Sequence, residues 1–410
     1  MAGPTVSVRE ALDAILSAVR PQPSLRVPLA DAVGHVLADD VFAPCPYPPW
    51  TNAAMDGYAV RAVDVRGASR DQPVRLDVVG EVAAGADLSI QIGAGQAARI
   101  FTGAAVPDGA DSVVRQEDTD RGASVVAVYS DRDAGVNVRA AGGVLAAGAL
   151  ALARGTRIGP RHLALLAAVG EGQPMVHRAP RVAILAGGDE LVGLDDPDAI
   201  RSGRKLSDVN SPALTALVRE AGGVPAPLGI AGDDAAEIVA HVSGASDCDV
   251  IITAGGVSVG DHDHVREAMS MMGAVERFGR VRVRPGGPTA LAVLPDGRLW
   301  LALPGNPVSA MVTFELFGRP MIGAMCGDPV PERRWFRVVL EDAVTPDAVL
   351  DLYLRVTFEW PEDGSLPRAR LTGPQGSGVL TSVVWGEGLA VVPAGVRAGE
   401  FGPTASAFVW

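Results

Sequence analysis

The 410-residue sequence has three cysteines, Cys45, Cys248 and Cys326, far apart and with no C-x-x-C pair. That scarcity argues against a disulfide framework or a structural zinc site and suits a reducing, cytosolic compartment. Long hydrophobic runs are missing too. No stretch reaches the ~18 consecutive apolar residues of a membrane span, so no spanning helix is expected. Arg9, Glu10 and Asp13 interrupt the first apolar segment, so no signal peptide is expected there. Positive charge is also short: 35 Lys and Arg against 48 Asp and Glu give a net charge of −13. General binding to nucleic acid or anionic lipid is therefore not expected, although one local anion site built from backbone N–H groups remains open. There is no internal repeat and no low-complexity tract.

What is present reads as a packed globular chain, 48% hydrophobic and 20% charged. Its length suits roughly two to four domains. The spacing of Val8, Leu12, Ile15, Leu16 and Val19 predicts a helix over 5–20, stopped by Pro21. A proline-rich linker runs from Pro44 to Pro49. Residues 56–138 hold short valine-rich segments, with strands expected at 76–79, 98–101 and 125–129. A turn-rich stretch, 142–155, leads to a helix at 160–169. From Pro180 the pattern alternates: strand 182–186, helix 211–221 closed by Gly222-Gly223, helix 233–242, strand 249–253, helix 262–272, strand 299–303 and helix 307–325. Such alternation predicts a largely parallel α/β domain with ligands at the carboxyl ends of its strands. Pro329-Val330-Pro331 reads as another linker, and the short strands beyond it predict a terminal β-barrel or sandwich.

One stretch, ITAGGVSVGDHDH at 252–264, supports three chemistries. Gly256–Gly260 matches G-x-S-x-G, a nucleophile elbow around Ser258. A hydrolase of that kind needs a downstream histidine, and none of the six lies beyond His264. Asp261, His262, Asp263 and His264 suggest a metal site. On a helix, however, residues two apart do not share a face. Asp261 then reads as a helix cap, while Asp263 could hold Mg²⁺ with phosphate oxygens. Third, Gly255-Gly256 before a helix N-terminus could cradle a phosphate or oxyanion; no G-K-[ST] follows, so it is not a P-loop. Gly93–Ala98 matches G-x-G-x-x-A but leads into a strand, against a dinucleotide site. Gly187–Glu190, Asp208–Asn210, Gly232–Asp234 and Leu303–Pro307 all fall at strand-to-helix turns, and together they suggest one shared site. Arg282 and Arg284 add positive charge nearby.

NAAMDGYAV (52–60), FTGAAVPDGADSVVRQED (101–118), GGDEL (187–191), SDVNS (207–211), TAGGVSVGDHD (253–263), RPGGP (284–288) and LPGNPVSA (303–310) occur in this order. With them the chain resembles, over nearly its whole length, the MoeA family of molybdopterin molybdenumtransferases, which includes the E-domain of gephyrin. The resemblance implies a multidomain α/β plus β architecture. An N-terminal helix, 1–23, would pack on the α/β domain, and a split linker domain would comprise 24–47 and 138–179. A β-rich domain would span 48–137, a mostly parallel molybdopterin-binding α/β domain 180–329, and a C-terminal β-barrel 330–410. It implies insertion of molybdenum from molybdate into adenylylated molybdopterin with release of AMP, using a divalent cation such as Mg²⁺. It implies cytoplasmic homodimers whose site is shared between chains. An adenylylating MogA-like protein and molybdoenzymes would be the partners, and nucleic acid and membranes would not.

Carried over by position, Gly255, Gly256, Ser258 and Gly260 would bind the pterin phosphate. Asp208 and Asn210 would line the site, Asp233 and Asp263 would serve the cation, and Glu190 would act in the reaction. Pro304, Gly305 and Pro307 would shape the wall. Asp56 and Thr102 would complete the site from the partner chain. Arg284 would act in the reaction with Glu190, Asp56 and Thr102, and Arg355 and Ser377 would help hold molybdate. The chain departs from the family at three places. It has Arg284-Pro285-Gly286-Gly287-Pro288 where K-P-G-K-P is usual. It has Gly142-Gly143-Val144 where an acidic pair usually follows the glycine. It has Pro374–Gly378 where H-Q-G-S-H is usual. A missing cation or carboxylate can cost on the order of 100-fold in rate. The departures leave a second reading open: a divergent relative that binds a molybdopterin-like ligand or a partner protein without efficient metal insertion.

Overall fold

The structure is a computed structural model that describes residues 3–85, 90–256, 263–396 and 404–410. Its first helix, Val8–Ala18, starts at Ser7 rather than residue 5, because Thr5–Val6 pairs in parallel with Arg280–Val281 instead. A capping box sets that start: the Glu10 N–H donates to Ser7 Oγ at 3.2 Å and the Ser7 N–H to Glu10 Oε2 at 2.7 Å. Ala11, Ile15 and Val19 then share a core with Val182, Ile184, Phe317 and Met321 of the α/β domain. Replacing Ser7 with alanine should lower the unfolding free energy by about 1 kcal/mol, measured by chemical denaturation. The hydrogen bonds from Ser7 hold the Glu10 carboxyl below its ordinary range. A depressed carboxyl supports the cap fully above its unfolded value and loses that support as pH falls through its lower folded value, so the gap between wild type and variant should narrow as pH falls below about 4.

Two separated pieces of chain form the next unit. Ser24–Arg26 pairs antiparallel with Met175–His177, and Val41–Phe42 with Leu150–Leu152. Val27, Leu37 and Val41 bury against Ile158, Leu166 and Val176. Between the pieces lies a five-stranded sheet in the order Ser112–Arg115, Gly57–Val60, Gln96–Ile100, Val74–Val82, Val125–Val128. The three strands expected from valine-rich segments are among them.

The α/β sheet has six strands in the order Val224–Ala231, Arg181–Gly187, Val250–Ala254, Leu299–Leu303, Ala290–Val293, Val275–Phe278. The first four run parallel and the last two antiparallel, so the sheet is mixed at one side. Those two strands were not expected. ALAV and VERF are too short and too small or charged to read as β from sequence. Every residue of Val250–Ala254 and Leu299–Leu303 is buried, as central parallel strands require. The helix expected over 262–272 is seen at His264–Met271, and its cap is Asp263, not Asp261: Asp263 Oδ1 accepts the Arg266 N–H at 3.1 Å. Asp261 lies outside the described residues. The C-terminal helix expected over 307–325 is broken into Pro307–Thr313, a π-helical turn Phe314–Gly318, and Arg319–Met325.

Of the two architectures expected after residue 330, the structure has the barrel. Asp351–Glu359, Arg368–Leu371, Phe336–Leu340, Thr404–Val409 and Gly388–Val392 pair in turn, and the first and last close the ring. Val283–Arg284 of the α/β domain adds to the barrel strand at Asp351–Leu352, which fixes the barrel against the carboxyl edge of the sheet. Among the described residues, no helix is long and apolar enough to cross a membrane.

Candidate functional site: two clefts around one turn

Adjacent parallel strands end at Gly187, Ala254 and Leu303, and the turns that follow them meet backbone to backbone. Gly255 has φ +98°, and a Cβ there would stand 2.3 Å from the Gly187 carbonyl oxygen. A Cβ on Gly305 would stand 3.2 Å from Gly255 Cα. Side chains at these points would force the turns apart, so glycine is needed for the close approach. The result is a cleft of about 450 Å³ whose lining includes Glu190, Asn210, Asp233, Gly255, Gly256 and Gly305. It sits where an open α/β sheet places its ligand, outside the carboxyl ends of the strands.

The polar groups around it divide by task. Asp208 is buried, and its Oδ1 accepts the N–H groups of Asn210 and Ser211, both at 3.0 Å. It thereby caps the helix Asn210–Ala221 and holds Asn210, whose Nδ2 donates to the Gly305 carbonyl at 2.8 Å. Glu190 and Asp233 stand exposed at the rim, and the Asp233 N–H donates to Asp189 Oδ1 at 3.1 Å. Asp263 Oδ2 lies 3.0 Å from Arg266 Nη1. Ser258 and Gly260 fall outside the described residues. Among the described residues, no histidine lines this cleft or its neighbour.

A second cleft, of about 480 Å³, lies on the other side of the Pro304–Pro307 turn, and the two share Gly305 and Asn306. The α/β domain contributes Arg280, Arg284, Gly286 and Gly287, and the barrel contributes Gln375 and Ser377. Asn306 Nδ2 donates to Ser377 Oγ at 3.1 Å and ties the turn to the barrel. Behind that wall is Arg355, 1% exposed. Its guanidinium donates to Ser382 Oγ at 3.2 Å and to the Tyr353 and Gly376 carbonyls at 3.1 and 3.4 Å. No described carboxylate pairs with it, and burial pushes its pKa down to about 10. The Gln375 side chain accepts the Arg355 N–H at 2.8 Å and returns a bond to its carbonyl at 3.2 Å, so the loop carrying Ser377 is held directly over the buried cation.

Asp56 and Thr102 meet as a pair in the β-rich unit. Asp56 Oδ1 accepts the Thr102 N–H at 2.8 Å and its hydroxyl at 2.7 Å, and these bonds hold the carboxyl below its ordinary range. Neither residue lines either cleft of its own chain. Sequence reasoning missed Arg280, Asn306 and Gln375 as site residues. Asn306 and Gln375 lay inside quoted motifs. Arg280 gave no signal, since a charge on an exposed strand edge ordinarily reads as solvated.

Comparison with known proteins bears on the whole of this arrangement. Residues 6–170 match the MoeA N-terminal region (domain I and II), residues 183–324 a probable molybdopterin binding domain, and residues 337–403 the MoeA C-terminal region (domain IV). A molybdopterin molybdenumtransferase of Nostoc is 36% identical over 404 residues, covering 96% of this chain and 91% of its own. Molybdopterin molybdenumtransferase 2 of Mycobacterium tuberculosis is 38% identical over 346 residues, 83% of this chain and 84% of its own. The crystal structure of a MoeA protein from Pyrococcus horikoshii superposes with a TM-score of 0.80 at 30% identity, covering 99% of both chains. With likeness of this depth along its whole length, the chain belongs to the MoeA family of molybdopterin molybdenumtransferases and is a transferase of molybdenum cofactor biosynthesis.

Proposed function

We propose that this protein inserts molybdenum from molybdate into adenylylated molybdopterin and releases AMP, with the two clefts acting as one site. The observation that carries this reading is their union at Gly305 and Asn306. A phosphate-bearing pterin in the glycine-floored first cleft would reach across one turn to an oxyanion in the arginine-lined second. Gly255 and Gly256, with Ser258 and Gly260 beyond them, are the phosphate cradle. Asn210, Pro304, Gly305 and Pro307 shape the cleft, and Asp208 positions Asn210. Arg284, Arg355 and Ser377 serve molybdate. Rate comes from positioning and fixed charge rather than from a covalent nucleophile.

Mg²⁺ fits this donor set. Among the described residues no group of three or more acids, histidines or cysteines forms a cage. Mg²⁺ needs none, because it binds through one or two carboxylates and takes its remaining ligands from phosphates and water. Asp233 offers an exposed carboxylate at the rim, and Asp263 would share its oxygens with Arg266. When bound, the cation would neutralise the phosphates during cleavage of the adenylate. Glu190, on the same rim, would be the acid that acts on the bond being broken.

We further infer a cytoplasmic homodimer in which Asp56 and Thr102 of one chain complete the site of the other. A MogA-like adenylylating protein would supply the substrate and molybdoenzymes would take the product. The shared site makes a sharp prediction. Asp56→Asn and Glu190→Gln should each remove most molybdate-dependent AMP release. Co-expressed in one dimer, they should restore a substantial part of it, because one of the two sites then holds both native residues. Recovery absent in purified mixed dimers would place both residues in one chain's site. The same assay separates this reading from the alternative of a relative that binds without inserting metal: that protein would hold adenylylated molybdopterin but release no AMP on adding molybdate.

A further inference from the structure

We propose that Arg280 is an oxyanion-binding residue of the second cleft and supplies the positive charge absent at Gly287. The inference rests on the reading above that molybdate occupies this cleft.

Three arginines alternate along the edge of the α/β domain: Arg280, Arg282 and Arg284. Val281 and Val283 between them point into the core. Two of the three are neutralised. Arg282 lies 3.2 Å from Glu10 Oε2, and Arg284 lies 3.3 Å from Asp347 Oδ2. Arg280 makes no ion pair with a described carboxylate. It is exposed and lines the second cleft together with Arg284. In a chain with a net charge of −13, no acid is among the described residues that line this cleft, and of its two arginines Arg280 is the one without a described carboxylate partner. A cleft of that charge selects anions, and a guanidinium offers a planar pair of N–H donors that matches an oxyanion.

Position 287 lies beside this side chain. A Cβ built on Gly287 would stand 4.0 Å from Arg280 Nε. The Arg280 side chain thus runs within contact distance of position 287. Gly287 is not among the glycines with positive φ, and the nearest other atoms to that Cβ, the Val281 and Val283 carbonyl oxygens, are 3.5 and 3.6 Å away. A side chain at 287 is therefore sterically admissible. The position lacks a cation by composition and not because the backbone forbids one, so the charge can be moved from 280 back to 287.

Molybdate binding to the purified protein, measured by titration calorimetry, tests the assignment. Arg280→Ala should weaken binding about tenfold or more, the scale of one lost charge-assisted contact. Arg280→Lys should retain part of the affinity, and the double variant Arg280→Ala/Gly287→Lys should regain most of it. Circular dichroism melts of each variant guard against misfolding. If Arg280→Ala binds as tightly as wild type while Arg355→Met does not, Arg280 has no such role and the cleft reading stands. If wild type binds no molybdate, or Arg280→Ala, Arg284→Ala and Arg355→Met all bind as wild type does, the cleft reading itself fails and the proposal with it. Weak binding by Arg280→Ala that the double variant does not restore would refute the claim that the charge stands in for one at 287.

Discussion

Replacing Arg355 with methionine should remove molybdate-dependent AMP release by about 100-fold or more and leave the protein folded. The two halves of this expectation share one cause. Arg355 is buried and donates only to neutral oxygens, so its charge is stabilised by hydrogen bonds but not by an opposite charge. Burial lowers its pKa to about 10, which means that the folded state disfavours the charged form. A base shifted downward costs stability at every pH below its folded pKa, and the cost fades only as pH rises through about 10. Across the neutral range the penalty is therefore constant. Methionine, of similar length and apolar, removes it but leaves the Tyr353 and Gly376 carbonyls without this donor, so the two effects oppose and stability should change by only about 1–3 kcal/mol. An oxyanion bound beside Arg355 would relieve the same penalty. Molybdate should then raise the melting temperature of the wild type and not that of Arg355→Met. Thermal shift with and without molybdate, beside the rate assay, reads both. A variant that melts far lower would mark Arg355 as structural, and one that keeps full activity would remove it from the site.

The second large effect is expected at Gly255. Its φ of +98° is one that side chains rarely adopt, and a methyl group there would come within 2.3 Å of a backbone oxygen on the neighbouring central strand. Both partners are backbone, so neither can rotate away. Gly255→Ala should cost about 3 kcal/mol or more of unfolding free energy and splay the floor of the first cleft, so that binding of adenylylated molybdopterin falls out of range. Gly256→Ala is the control. Its φ is +66°, and its new methyl would meet Val265 Cγ2, the end of a side chain, at 3.0 Å. It should cost only about 1 kcal/mol. Equal losses from the two substitutions would mean that the turn tolerates the clash at 255 and that the glycine pair is not the rigid floor described above.

The elements that carry the site could be read from sequence because each has a local cause. A buried apolar run followed by paired glycines marks a central strand and the turn after it, as at 182–188 and 250–256. A polar cap before an apolar period marks a helix, as at Asp208 and Asp234. Elements held only by partners distant in sequence could not be read. Val275–Phe278 places two charged residues side by side between two apolar ones, with no period-two pattern, and becomes a strand only because Ala290–Val293 lies beside it. Thr5–Val6 looks like the start of a helix until Arg280–Val281 offers it a ladder. The same limit applies to the site. Sequence marks Asp208, Asp263 and the arginines as charged groups near glycine turns. Only the packed chain shows that Asp208 is occupied by two backbone N–H groups, that Arg282 and Arg284 have carboxylate partners, and that Arg280 does not. Asp56 and Thr102 pair with each other and line neither cleft of their own chain; the proposed shared site is what would give them a role.

The central claim is that one turn, Pro304–Pro307, joins a pterin cleft to an oxyanion cleft. The most direct measurement is anomalous diffraction at the molybdenum edge from crystals grown with molybdate. The account predicts a single strong peak between Arg280, Arg284 and Ser377, in front of Arg355. A peak confined to the first cleft, beside Gly255 and Asp233, or to a site away from both clefts, would contradict it.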